Sequence, residues 1–220
     1  SEFGQSAEWN FEGSLDWHLL QYPYHEGVKK LITGLNDLYK SQPSLYQKQF
    51  SPDGFEWINY SDHHNAVMAY IRKGNIPKED VIVVCNFTPV VRNNYRIGLH
   101  NNGKLVEIFN TDAELFGGSG VTNLGELNIE NLPYDGRDYS ISLDLAPLAV
   151  MVFRPFSRAS FDTSTRFTLN PVCAKVCAIP FPMVPAPITT IFFIKFIFKV
   201  VNILKMKILN QPQFCNPCKV

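Results

Sequence analysis

Residues 55–154 alternate apolar and polar side chains with a period close to two, and this pattern constrains the fold more than any other feature. Seven segments show it and are predicted as strands: 55–60, 66–73, 80–87, 95–100, 104–110, 139–145 and 148–154. Residues typical of turns separate them: Asp53-Gly54, Gly74-Asn75, Asn101-Asn102-Gly103 and Asp135-Gly136. Short strands at this spacing predict an antiparallel β-sandwich.

The segment before the strands has a different pattern. Residues 6–27 contain tryptophans, acids and histidines without a clean period, which is typical of a loop. Loops of this kind usually border binding clefts. Residues 26–40 then place apolar side chains at three- and four-residue intervals, which predicts an amphipathic helix closed by Pro43.

A glycine-rich stretch, "FGGSGVTNLGE", lies within the long gap between the fifth and sixth predicted strands, at 111–138. A phosphate-binding loop would need a lysine and a following helix, and this stretch has neither. We therefore expect a surface excursion rather than a nucleotide site.

The charges divide the chain into two unlike parts. Residues 1–156 hold 12 Lys and Arg against 19 Asp and Glu, whereas residues 157–220 hold 8 Lys and Arg against one acid, Asp162. The zero net charge of the whole argues against a nucleic-acid-binding protein. Such different halves are not expected to form one continuous fold.

Residues 157–220 have three possible interpretations: a membrane or metal module, a disordered extension, or a segment that is not an evolved protein. The run 188–204 is apolar but is short and contains Lys195 and Lys199, so a membrane span is disfavoured. The motifs "CAKVC" and "CNPC" supply four possible zinc ligands, without histidine and far apart. The segment could otherwise be a disordered extension, or not an evolved protein segment. We favour the last, because its composition resembles translated AT-rich DNA.

Cysteine use and the lack of a secretory signal favour a cytoplasmic protein. Cys85 stands alone in the first part, within the apolar run "VIVVCNF", and we expect it to be buried and reduced. No metal-binding constellation stands out in residues 1–156, and we expect no cofactor.

A series of short motifs in residues 1 to about 155 resembles the 1,4-α-glucan (glycogen) branching enzymes of the α-amylase superfamily. The motifs occur in family order with similar spacing: "EFGQ", "EWN", "SLDWHLL", "LNDLY", "GFEWI", "VVCNFTPV", "YRIGL", "FNTDAELFGGSG", "NLG" and "LAPLAVMVFRP". Each motif alone is weak, but together they are specific.

The resemblance implies that the chain has three parts. Residues 1–42 resemble the end of a catalytic (β/α)8 barrel, namely the end of its eighth strand, the following loop and the eighth helix. Residues 43–155 resemble the family's C-terminal all-β domain, and residues 156–220 remain an unassigned, basic, hydrophobic tail. The helix would then lack the barrel against which it packs, so we expect residues 1–42 to be poorly anchored.

The resemblance also implies an activity. The family cleaves an α-1,4-glucan chain and transfers it to a sugar 6-hydroxyl, which forms α-1,6 branches in glycogen synthesis. Such a retaining reaction needs a carboxylate nucleophile and an acid/base. The family carries these upstream of "EFGQ", so no catalytic residue is assigned here and the chain alone is expected to be inactive. The expected partners are α-1,4-glucan, glycogen-like or amylose-like, and the missing barrel; a membrane is not expected.

Candidate substrate-binding residues lie at the end of "EFGQ" and in the loop that follows it. Trp9 could stack on a glucose ring, with loop packing an equal alternative. Glu8 and Gln5 complete the set, although hydrogen bonds within the loop are the simpler role for its carboxylates. Trp17 and His18 are expected to be packing residues, and Trp57 is expected in the sandwich core.

Two other functions remain open on the sequence alone. The chain could be a non-catalytic β-sandwich that binds α-glucan, or a small protein anchored to a membrane by its tail. Residues upstream of Ser1 would separate the first of these from a branching enzyme.

We expect deletion of residues 157–220 to raise solubility and to leave the melting temperature of the sandwich unchanged. The apolar run 188–204 has no polar alternation that would give it a solvent-facing side, so it should adhere to other surfaces. Thermal melting and sedimentation of both chains measure this. Loss of the fold on truncation, or unfolding of the full chain by a zinc chelator, would show that the tail is structural.

Overall fold

The computed structural model describes residues 2–8 and 10–156, which form a mainly β, antiparallel fold with one α-helix, as predicted. The helix, α1, spans Pro23–Ser41. All seven predicted strands are present and a two-residue strand is added: β1 (Phe55–Asp62), β2 (Val67–Arg72), β3 (Val81–Asn86), β4 (Arg92–Leu99), β5 (Lys104–Asn110), β6 (Leu127–Asn128), β7 (Tyr139–Leu145) and β8 (Ala149–Pro155). The expectations for residues 157–220 lie outside the described residues.

The strands form two layers. A six-stranded sheet has the order β1-β2-β3-β8-β5-β6, and β4 pairs with β7 in a separate two-stranded sheet. Every pairing is antiparallel. The predicted turn at 101–103 joins β4 to β5, which belong to different sheets, so it carries the chain from one layer to the other.

The main core lies between the two sheets. It includes alternate residues of β3 and β8, such as Ile82, Val84, Met151 and Phe153, each less than a tenth exposed. The partner strands β4 and β7 contribute a matching set, which includes Ile97, Ile141 and Leu143. This inner layer is the one that alternation in the sequence predicts.

A second core covers the outer face of the six-stranded sheet. The intervening residues of β3, Val81, Val83 and Cys85, pack with Leu31 and Leu38 of α1. Burial of a leucine side chain stabilises a fold by about 2 kcal/mol, so this contact anchors the helix. The expectation that residues 1–42 are poorly anchored is therefore wrong for α1, because the outer face of the sheet supplies its partner.

Two buried-residue expectations have different outcomes. Cys85 is fully buried and free, as predicted, and burial raises the pKa of its thiol. Trp57 was expected in the core but is 44% exposed, which makes that expectation wrong. The reason is its position on β1, the edge strand of the six-stranded sheet.

No helix within the described residues is long and apolar enough to cross a membrane.

A network of charges centred on Glu56 ties β1 to its surroundings. Its carboxylate accepts hydrogen bonds from Lys73 Nζ at 2.5 Å and from Arg137 Nη2 at 2.7 Å, and lies 2.6 Å from His100 Nε2. Burial alone would raise the pKa of Glu56, but these three hydrogen bonds lower it from 4.5 to about 2. The Arg137 side chain is only 8% exposed, so its buried positive charge is stabilised by the Glu56 carboxylate.

We expect Glu56→Gln to lower the free energy of unfolding at pH 7 by about 2 kcal/mol. Because the pKa of Glu56 is lower in the folded state, its contribution is complete above pH 4.5 and is lost as the pH falls towards 2. Urea unfolding at several pH values should therefore show the wild type and the variant converging in acid. Glu126→Gln is the control, since it breaks only an exposed pair with Lys104. An equal loss in both variants would contradict this role for Glu56.

Candidate functional site

The N-terminal loop is fixed to α1 through Phe3. The ring of Phe3 is buried and stacks on Trp17, with centroids 5.3 Å apart. The carbonyl oxygen of Phe3 lies 2.9 Å from Nδ1 of His25, in the first turns of α1. The start of the loop is therefore held by one apolar and one polar contact.

Gln5, a predicted substrate-binding residue, cross-links the loop. Its Oε1 accepts a hydrogen bond from the backbone N–H of Asp16 at 3.0 Å, and its Nε2 donates to the carbonyl of Ala7 at 3.2 Å. The side chain is partly buried. These contacts give Gln5 a role in shaping the loop, and its role in binding substrate stays a prediction.

The other two predicted residues differ in what can be said of them. Glu8 is exposed at the surface of the loop, where its carboxylate is accessible to a ligand. Trp9 lies outside the described residues. Because Trp9 is not among the described residues, a shared substrate-binding role for Gln5, Glu8 and Trp9 remains a prediction.

Two packing expectations in this loop are wrong. Trp17 is 54% exposed, although its ring stacks on Phe3. His18 is also exposed. Both lie in a short 3-10 helix, Trp17–Gln21, which has no buried residue, so the leucines around them do not form a core.

The glycine-rich stretch after β5 lies at the surface, as predicted, and its first residue, Phe116, packs on α1. Phe116, in the 3-10 turn Glu114–Phe116, contacts Phe109 with ring centroids 5.6 Å apart. The backbone of Phe116 approaches the helix so closely that a Cβ added at Gly27 would lie 2.7 Å from its carbonyl oxygen. This close approach requires glycine at position 27.

Hydrogen bonds within the stretch hold it in this shape. Asp112 is buried, its carboxylate accepts a hydrogen bond from Ser119, and its backbone N–H donates to the Asn110 side chain at 2.9 Å. The amide of Asn110 in turn donates to the carbonyl of Val121 at 2.7 Å. These bonds hold residues 110–121, which include all of the motif "FNTDAELFGGSG" except Phe109, and we name this segment the clamp loop.

Sequence patterns did not identify the contact between the clamp loop and α1, although one signal was present. Gly27 and Gly34 are seven residues apart, and this spacing places them on one face of a helix. A Cβ at Gly34 would meet the ring of Phe109 at 3.0 Å. Two glycines on one helix face indicate a close neighbour, but they do not say which segment supplies it.

One cleft lies away from the N-terminal loop. It has a volume of about 330 Å³, and its lining combines apolar side chains with basic groups, including Lys73, His100 and Lys104. None of its lining residues belongs to the loop at 2–25. Residues 2–8 and 10–156 contain no group of three or more His, Cys, Asp or Glu side chains that could hold a metal ion.

The two sheets and their sequence define a domain class. Residues 57–156 match the family described as alpha amylase, C-terminal all-beta domain. The prediction of this domain from the sequence motifs is thereby confirmed.

Curated relatives extend the match beyond this domain. The chain is 46% identical over 153 residues to the 1,4-alpha-glucan branching enzyme GlgB of Aquifex aeolicus. This match covers 70% of this chain and 24% of the relative. It is also 46% identical to the GlgB protein of Rubrobacter xylanophilus, over 70% of this chain and 21% of the relative. It is 46% identical to the GlgB protein of Thermosynechococcus vestitus, over 77% of this chain and 22% of the relative. The resemblance to the C-terminal part of branching enzymes is confirmed. The chain spans less than a quarter of the length of these relatives.

We expect Gly27→Ala to lower the free energy of unfolding by about 1–2 kcal/mol. Alanine favours a helix by about 1 kcal/mol over glycine, but its methyl group would collide with the backbone of Phe116. Gly34→Ala is the matched control, because there the methyl group meets aromatic side chains that can shift. Urea unfolding measures both. A Gly27→Ala protein as stable as Gly34→Ala would contradict a rigid contact with the clamp loop.

Proposed function

We propose that this chain is the C-terminal part of a 1,4-α-glucan branching enzyme that acts in the cytoplasm. The supporting observation is the extent of the match, 153 residues at 46% identity, which is longer than the domain at 57–156. The reaction cleaves an α-1,4-glucan chain and transfers it to a 6-hydroxyl of glucose, which creates an α-1,6 branch.

Within this reaction the N-terminal loop would contact the glucan. Glu8 is exposed and can accept hydrogen bonds from sugar hydroxyls, while Gln5 holds the loop in shape. Trp9 would supply an aromatic face for one glucose ring. The nucleophile and the acid/base would come from the rest of the barrel, which is the proposed partner of this segment.

The proposal is tested by a hybrid enzyme. The full 220-residue chain replaces the matching C-terminal segment of the Aquifex aeolicus relative, and new α-1,6 linkages in amylose are measured by iodine staining and debranching. We expect the hybrid to branch amylose. Trp9→Ala in the hybrid should raise KM about five-fold, and Trp9→Phe should restore most of the loss because the ring is retained. A folded hybrid that forms no branches would overturn the proposal.

The isolated chain provides the complementary measurement. None of its carboxylates matches the family's nucleophile, acid/base or third aspartate, so we expect no new α-1,6 branches when amylose is incubated with the purified chain alone. Branch formation by the chain alone, unchanged after removal of any contaminating enzyme, would contradict this assignment of the catalytic groups.

A further inference from the structure

The clamp loop covers the first turns of α1. The backbone of Phe116 lies against Gly27. Gly117, which has a left-handed φ of +83°, lies beside the ring of Tyr24, and a Cβ added at this glycine would be 3.1 Å from Tyr24 Cδ1. Backbone contacts of this kind cannot adjust by a change of side-chain rotamer. The all-β domain therefore sets the position of the first turns of α1.

His25 lies between Tyr24 and Gly27 in the helix and is bonded to the N-terminal loop. Its ring is partly buried, and Nδ1 lies 2.9 Å from the carbonyl oxygen of Phe3, a residue 22 positions earlier in the chain. A carbonyl oxygen only accepts hydrogen bonds, so the proton of this bond must be on Nδ1. The contact therefore assigns the tautomer, because in the neutral ring a proton on Nδ1 leaves Nε2 as an acceptor.

The residue that accepts this bond is itself fixed. The ring of Phe3 is 1% exposed and stacks on Trp17. Gly4 follows with a left-handed φ of +73°, which turns the chain out of this contact and into the loop. Gln5 then closes the loop by its hydrogen bond to the backbone N–H of Asp16 at 3.0 Å. The loop is thus closed at its base, and the Phe3 carbonyl attaches this base to α1.

We propose that His25 is a positioning residue for substrate binding: its Nδ1–H holds the N-terminal loop, with the exposed Glu8, at a fixed place relative to the clamp loop. The inference rests on the proposed function, which makes this loop a contact for α-1,4-glucan. In this role His25 does not touch the glucan and acts through Phe3. The all-β domain then affects glucan binding through α1, with no contact between the clamp loop and the glucan.

A positioning role differs in its kinetics from a structural one. A hydrogen bond that served only stability would change the melting temperature and leave the kinetic constants of the folded enzyme unchanged. Contacts between the loop and the glucan are made in the bound substrate and in the transition state alike, so their misplacement raises KM and leaves kcat unchanged. The loss of one hydrogen bond corresponds to an effect of about three- to ten-fold.

His25→Phe in the hybrid enzyme described above removes the donor and retains a ring. We expect KM for amylose to rise about three- to ten-fold, with kcat within about two-fold of the unsubstituted hybrid. His25→Asn should recover most of the loss, because its amide nitrogen can donate from about the position of Nδ1. The matched control is His63→Phe, the same substitution at an exposed histidine between β1 and β2, which should leave both constants unchanged.

Gly27→Ala in the hybrid tests the other end of the link. The added methyl group would displace the first turns of α1 from the clamp loop, so KM should rise here too. Gly34→Ala, where side chains can move to make room, should leave KM unchanged. An unchanged KM in the folded Gly27→Ala hybrid would overturn the coupling to the clamp loop.

The tautomer is measured directly in the purified 220-residue chain, from the nitrogen chemical shifts of the histidine rings. The spectrum is recorded at about pH 8, where free imidazole is neutral, and the His25 signals are identified by their loss in His25→Asn. We expect the proton on Nδ1. A proton confined to Nε2 would overturn the inference whatever the hybrid does.

The outcomes separate this inference from the proposed function. Melting temperatures establish that each variant is folded under the assay conditions. A hybrid that branches amylose with an unchanged KM in folded His25→Phe overturns the inference and leaves the proposed function standing. A folded hybrid that forms no branches overturns the proposed function, and the inference falls with it. If His25→Phe does not fold, Gly27→Ala and the spectrum still decide the inference.

Discussion

The strands β3 and β8 are apolar on both faces, and the arrangement of the molecule follows from the need to cover both. Ile82 and Val84 face the small sheet, while Val81 and Val83 face α1. A single sandwich layer would leave the second pair in water, at a cost of about 2 kcal/mol for each exposed side chain. The helix is therefore part of the folded unit, not an appendage to it.

The same two-sided burial explains how far the sequence could predict the fold. Alternation located the strands within one to three residues, and a continuous apolar run such as "VIVVC" carried the further signal that both faces are covered. What alternation does not encode is which segment covers the outer face. That choice depends on Leu31, Leu38 and the close approach at Gly27, which are contacts between residues far apart in sequence.

The candidate site was less predictable for a related reason. A tryptophan flanked by leucines or β-branched residues suggests burial, yet Trp17 lies on a short 3-10 helix and Trp57 lies on an edge strand. Both side chains are exposed because they lie at the edge of the fold, and the tertiary structure determines which segments lie there. The resemblance at "EFGQ" made Gln5 a candidate, but its hydrogen bond to the backbone N–H of Asp16 depends on how the loop folds back on itself. The division of the chain at residues 42 and 155 stays a prediction.

The place of Cys85 gives the molecule a chemical reporter of its own internal motion. The thiol lies in the core between α1 and the six-stranded sheet, and its raised pKa keeps it protonated near neutral pH. A modifying reagent reaches such a sulfur only after the surrounding elements separate. The rate at which Cys85 reacts therefore measures how often the helix detaches from the sheet, and this measurement needs no label or mutation in that core.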